Sequence, residues 1–205
     1  MSSARRVRDK WRSKDWYTIV SPEYFGGVEL GSVPADEESK LIGRSIETTL
    51  YSITGDFSHQ HIKLNFQVNK VDEKRATTIF KGHEYSRDYL RSLVRRRTSC
   101  VDGIFDVTTK DGYKIRVSVC GFTLARIKTS QQKAIRRTMK EIIEKRGSEL
   151  DFNQFVHEMV LGKIASDIYN EAKNICPLRH IGIRKSKLIS IPTISTGDSV
   201  ESNVP

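Results

Sequence analysis

His59-Gln60-His61, Gly82-His83-Glu84 and His157-Glu158 set imidazoles beside one another or beside a carboxylate, the residue types that hold metal or move protons near neutral pH. Spacing completes none of them. The first two lack a third ligand at a recurring metal spacing, and both are read as lying where strands meet turns. His157-Glu158 supplies half of a helical zinc-protease motif, but position 161, where the second histidine must stand, is Leu161. Asp102, Asp106 and Asp111 could serve a metal-dependent nuclease. Against this, Asp106 falls on the outer face of an alternating strand and Asp111 precedes Gly112 in a turn. No GxxxxGKS loop, no GxGxxG after a strand and no GxSxG elbow is present, so phosphate cradling and acyl transfer lack their parts. Cys100, Cys120 and Cys176 are odd in number and far apart, and read as reduced packing residues. No reaction, metal or cofactor follows.

What the chain does carry is positive charge. Its 205 residues hold 35 Lys and Arg against 25 Asp and Glu, a net charge of +10 that favours polyanionic partners. No run approaches the roughly 20 apolar residues that span a bilayer, and the N-terminus has no apolar signal core, so the expected partner is nucleic acid in the cytosol. Residues 1–14 contain Arg5, Arg6, Arg8, Lys10, Arg12 and Lys14 around Trp11 and read as a basic arm that orders on RNA. Residues 87–97 carry five cations, including Arg95, Arg96 and Arg97, with only Asp88 as an acid. Between 126 and 140 stand Arg126, Lys128, Lys133, Arg136, Arg137 and Lys140 with no acid at all. A solvated helix face usually interleaves signs, so these runs point to phosphate. Such contacts position an RNA without reading its sequence.

The elements that must position these residues are legible from periodicity. WYTIV reads as a strand, 21–43 as mostly loop, and 44–54 and 62–68 as half-buried strands, the latter returning through 72–74 into RATTIFKG as an antiparallel hairpin. Ser86 is read as capping a helix with Tyr89, Leu90, Leu93 and Val94 on one stripe. IFDVTTK and YKIRVSVCGFT are expected to pair through a two-residue type I′ turn at Asp111-Gly112. A helix is expected over 131–145, capped by Ser130 and stopped at Gly147, with Ile135, Met139, Ile142 and Ile143 inward. Helices at 151–160 and 162–174 follow, then a strand, HIGIRKSKLISI, exposing Arg184, Lys185 and Lys187. The organisation expected is an arm at 1–14, one domain at 15–190, strand-rich to 125, and a disordered Ser/Thr-rich tail at 191–205.

Several blocks, in order, are familiar: KDWYTIVSPEYFGG at 14–27, GHEYSRDYLRSLVRRRTS at 82–99, DVTTKDGYKIRV at 106–117, TSQQKAIRRTMKEII at 129–143 and NICPLRHIGIRKSK at 174–187. On these the chain resembles the archaeal and eukaryotic small-subunit ribosomal protein family called S1e or S3Ae, and its archaeal members more than its eukaryotic ones. The resemblance implies an α+β fold, an antiparallel β-barrel-like core with helical additions. It implies a non-enzymatic constituent of the small subunit's platform near the messenger exit. Its partners would be ribosomal RNA and neighbouring ribosomal proteins, with messenger RNA a further candidate. Carried over by block, the RNA-facing residues are Lys14 and Trp16, Arg95 to Arg97, Lys133, Arg136 and Arg137, and Arg184 and Lys185. Rival readings are the Asp102/Asp106/Asp111 nuclease and an RNA-binding regulator acting away from the ribosome.

Overall fold

The computed structural model describes Trp11 and residues 14–192. Arg5, Arg6, Arg8, Lys10, Arg12 and the tail beyond 192 lie outside the described residues.

Alternation of apolar and polar side chains builds most of the sheet, because every second residue of a strand faces the same way. Ile62, Leu64, Phe66 and Val68 all point inward from β4 (Ile62–Asp72), which pairs antiparallel with β5 (Arg75–Tyr85) as expected. On its other side β5 is shared. Its first residues pair in parallel with β1 (Asp15–Val20), and its end meets β8 (Leu178–Ser190) at Glu84 and Lys185. β8 continues antiparallel along β7 (Lys114–Thr123), and β7 along β6 (Cys100–Thr108). Among the described residues eight strands form one mostly antiparallel sheet that does not close on itself. With the helices added the class is α+β.

Two strand segments differ from the reading of the sequence. The stretch expected as loop contains β2 (Glu29–Ala35), which pairs with β1 despite Gly31 and Pro34. It is an edge strand, where a missing N–H is tolerated. The strand expected over 44–54 divides into β3 (Ser45–Thr49), paired with β4, and a short helix α1 (Leu50–Thr54). Thr49 makes the division by accepting the Ser52 N–H as an N-cap, which ends the strand and starts the helix.

Helices cover both faces. α3 (Thr129–Glu149), α4 (Phe152–Val160) and α5 (Lys163–Ala172) pack on the face carrying Val107, Ile115, Val117 and Val119. Ile135, Met139, Ile142 and Ile143 are buried there, as their spacing requires. α2 (Arg87–Leu93), capped by Ser86, covers Cys120 and Phe122 on the opposite face, although Val94 is exposed instead of joining its stripe. Cys120 and Cys176 are packing residues, whereas Cys100 is exposed and donates toward Asp102 Oδ1 at 3.4 Å.

α3 is longer than expected at both ends. It starts at Thr129, where Gln131 Oε1 accepts the Lys128 N–H, and Ser130 is not the cap. Gly147 does not stop it. A Cβ there would lie 2.1 Å from Val107 Cγ1, so glycine permits helix and strand to touch. The β6–β7 turn is likewise not type I′, which needs positive φ at both central residues. Only Gly112, at φ +81, is positive; the Gly112 N–H donates to the Thr109 carbonyl and the Thr109 N–H to the Tyr113 carbonyl. This is a three-residue loop with glycine in the left-handed place.

Gly82-His83-Glu84 lies at the C-terminal end of β5, which stops at Tyr85 before the Ser86 cap of α2. His83 is buried, its Nδ1 2.7 Å from Ser186 Oγ and its Nε2 3.0 Å from the Ile183 carbonyl. Burial pushes the imidazole down to about 4, so the folded protein keeps it neutral. The unfolded chain takes up that proton near pH 6.5. Stability from this residue is therefore complete above that pH and declines as pH falls toward 4, by about 3 kcal/mol across the window. Thermal melts should show the wild-type midpoint falling more steeply between pH 6.5 and 4.5 than that of His83→Gln; parallel curves would refute the assignment.

Candidate nucleic-acid interface

The start of β6, the end of β7, the start of β8 and the start of α3 meet at one end of the sheet. Cys100 pairs with Phe122 and Thr123 with Leu178, so the connections beyond these strands are forced together. Hydrogen bonds then knit them. The Thr123 N–H donates to the Ser99 carbonyl at 3.0 Å, the Ile127 N–H to Ser99 Oγ at 3.2 Å, and the Leu124 N–H to the Pro177 carbonyl at 3.2 Å. Arg95, Arg96 and Arg97 stand on the first connection, Arg126 and Lys128 on the second, and Lys133 on the first turns of α3. All six are exposed, and among the described residues none of them forms an ion pair with a carboxylate. Arg97 holds φ +62, an unusual backbone for a side chain of its size, kept by the turn in which Thr98 Oγ1 donates to the Arg95 carbonyl.

Of the remaining predicted cations among the described residues, Arg136, Arg137, Lys140, Arg184 and Lys185 have local partners, whereas Lys187 is exposed with none. Arg137 Nε lies 2.9 Å from Glu141 Oε1 and Lys140 Nζ 3.6 Å from Glu144 Oε1, so the acids of the next helical turn answer the acid-free run. Both pairs are exposed and weak, worth at most about 1 kcal/mol, and give way to a phosphate at little cost. Arg136 is different. Its Nε donates to the Asp102 carbonyl at 2.9 Å, occupying a backbone acceptor on edge strand β6. It thereby ties α3 to the sheet and obstructs strand addition at that point. Arg184 faces Asp102 Oδ2 at 3.7 Å, and Lys185 bonds Glu84 at 2.8 Å. Lys187 shares a cross-strand row with Arg116, whose guanidinium is engaged by Asp106 at 2.6 and 2.7 Å.

Lys14 does not join this cluster. It precedes β1, which runs beside the opposite end of β5, and its Nζ sits 4.4 Å over the Trp11 ring. Trp16 is 59% exposed. Arg179 is the cation that sequence reasoning passed over. It sits in the NICPLRHIGIRKSK block, and its Nη1 donates to the Leu93 carbonyl at 3.2 Å, joining β8 to the end of α2 beside Arg95.

The three nuclease carboxylates have separate structural roles. Asp102 meets Arg184, Asp106 grips Arg116, and Asp111 Oδ2 accepts the Phe152 N–H at the start of α4. Asp102 and Asp106, four residues apart on one strand, are separated by roughly 13 Å, too far to share one ion. Among the described residues no group of three His, Cys, Asp or Glu is placed to hold a metal. Nor, among those residues, is any helix long and apolar enough to cross a membrane.

What this arrangement can do chemically is present a fixed patch of guanidinium and ammonium groups, drawn from segments up to 38 residues apart (Arg95 to Lys133), to a polyanion. Small ribosomal subunit protein eS1 of Desulfurococcus amylolyticus is 52% identical over 195 residues, covering 94% of this chain and 92% of the relative. The eS1 proteins of Staphylothermus marinus and Archaeoglobus fulgidus are 49% and 50% identical, covering 91% and 92% of this chain and 88% and 90% of their own. The family model described as the Ribosomal S3Ae family matches residues 2–192, and with these identities over nearly the whole length the chain belongs to that family.

Proposed function

We propose that this chain is a structural constituent of the cytoplasmic small ribosomal subunit, and not an enzyme, as the names of its relatives and its family indicate. It binds ribosomal RNA through phosphates, on the platform near the messenger exit, and touches neighbouring ribosomal proteins and the emerging messenger. The observation that carries the RNA-binding part is the end-of-sheet patch of Arg95, Arg96, Arg97, Arg126, Lys128 and Lys133. Among the described residues these form no ion pair with an acid. Residues 15–190 act in this reading as one unit, and the basic residues Arg5, Arg6, Arg8, Lys10, Arg12 and Lys14 extend the contact as an arm.

The test is mass spectrometry across a sucrose gradient of native lysate, with the small-subunit peak run again after a high-salt wash. Stoichiometric retention in that peak is expected. Recovery only in the light fractions would replace this reading with a regulator acting off the ribosome.

A further inference from the structure

Next to the cationic patch, α5 stands off from the start of β8 and leaves a cleft of about 380 Å³ lined by Tyr85, Ser166, Tyr169, Asn170, Arg179 and His180. Its walls are held rigidly. The Tyr169 hydroxyl donates to the Leu178 carbonyl at 3.3 Å, Arg179 is anchored on the Leu93 carbonyl, and His180 and Tyr85 each meet Tyr89 edge-on, with centroids 6.1 and 5.4 Å away. Four other polar side chains of the cleft, by contrast, are unused. Among the described residues the Tyr85 hydroxyl, Ser166 hydroxyl and Asn170 amide make no hydrogen bond, and His180 Nε2 is buried without any partner. Buried polar atoms are almost always satisfied, so an orphan beside a polar cleft marks a place where something else completes the bonding.

Gly182 keeps the two innermost groups together. A Cβ at that position would lie 2.8 Å from the Tyr85 hydroxyl and 3.0 Å from His180 Nε2, so only glycine lets both approach the β8 backbone. The cleft is thus lined by tyrosine rings and a guanidinium together with a phenol hydroxyl, an amide, a serine hydroxyl and an imidazole. These are the groups that hold an unstacked nucleobase, whose faces stack on aromatic or Arg planes and whose edges exchange donors and acceptors. Burial, with help from Arg179, holds the His180 imidazole below its ordinary range, which keeps it neutral and able to accept as well as donate.

We infer that this cleft receives a single base extruded from the RNA whose backbone lies on the adjacent arginine patch. The inference rests on the RNA-binding reading above and adds to it a contact that discriminates bases, where the patch only positions phosphates.

Two variants test it on the full chain with the cognate small-subunit ribosomal RNA as probe. Ser166→Trp, at an exposed helix position, fills the slot; Tyr85→Phe removes one hydroxyl. Ser166→Trp should weaken binding by roughly 5- to 100-fold, the range of one lost stacked base, and Tyr85→Phe by a smaller factor. The slope of log affinity against log salt should stay at the wild-type value for both. Ultraviolet cross-linking of native small subunits should place nucleotide adducts on Tyr85, Tyr169 or His180. Unchanged affinity for both variants, with adducts confined to the patch, would overturn the cleft while leaving the phosphate reading intact. No RNA binding by the wild type would overturn both. Protection of the cleft by free nucleoside monophosphates, with no cross-link to RNA, would assign it to a small nucleotide and refute the extruded base.

Discussion

Replacing Arg95, Arg96, Arg126 and Lys128 together with glutamate should lower affinity for ribosomal RNA by about three decades at 0.1 M salt. It should also flatten the dependence of log affinity on log salt by roughly three, since each phosphate contact contributes about 0.7 to 0.9 to that slope. The patch concentrates these effects because its members lie on two connections and the start of α3, held at fixed spacing by Ser99, Thr123 and Pro177. All four side chains are exposed, so the melting midpoint should move little. The matched control reverses Lys70, Lys74 and Arg75 at the β4–β5 turn. These are also exposed, but β5 carries them about ten residues, or roughly 33 Å, from the patch. Its slope should change by less than one. Equal effects from both variants would mean that net charge, and not this surface, binds the RNA.

The second large effect is on folding. Gly82→Val should destabilise the protein by about 3 kcal/mol or more and lower its melting midpoint by about 6 to 12 °C. A Cβ at Gly82 would lie 2.3 Å from the Ser186 carbonyl oxygen and 3.1 Å from its carbon, both backbone atoms. Neither can withdraw without displacing β8 from β5, where Ser186 also accepts the His83 N–H. Gly27→Ala provides the contrast. Nothing lies within 4 Å of a Cβ there, and the cost is only that of holding alanine at φ +60, about 1 kcal/mol. Circular dichroism melts of the two variants decide the matter: a Gly82→Val midpoint no lower than that of Gly27→Ala would show that the β5–β8 junction yields.

The two glycines show where sequence reasoning stops. Gly27, beside Gly26, reads as a turn residue because local backbone freedom is a local property. Gly82 sits in a strand pattern and Gly147 in a helical one, and what each must avoid belongs to segments 104 and 40 residues away. The same division holds for charge. The run from Arg126 to Lys140 is acid-free along the chain, yet Glu141 and Glu144 come round one turn later to meet Arg137 and Lys140, and Arg136 turns to a backbone carbonyl. The strand at 29–35 escaped notice because glycine and proline mask its alternation, and only its place at the sheet edge makes them acceptable.

By itself, then, the sequence determined the cationic character, the family through its ordered blocks, the body of the helix at 131–145 through its buried stripe, and the two hairpins built from neighbouring strands. These depend on periodicity and on residues close in the chain. Only the tertiary structure decided that β1 joins β5 in parallel and that β8 enters between β5 and β7. It also decided that the cations of two connections and of the start of α3 share one end of the sheet, beside a cleft lined from β5, α5 and β8. Alternation says which face of a strand is buried but not which strand lies beside it, and the cost of closing long loops is met only by the packing of the whole core.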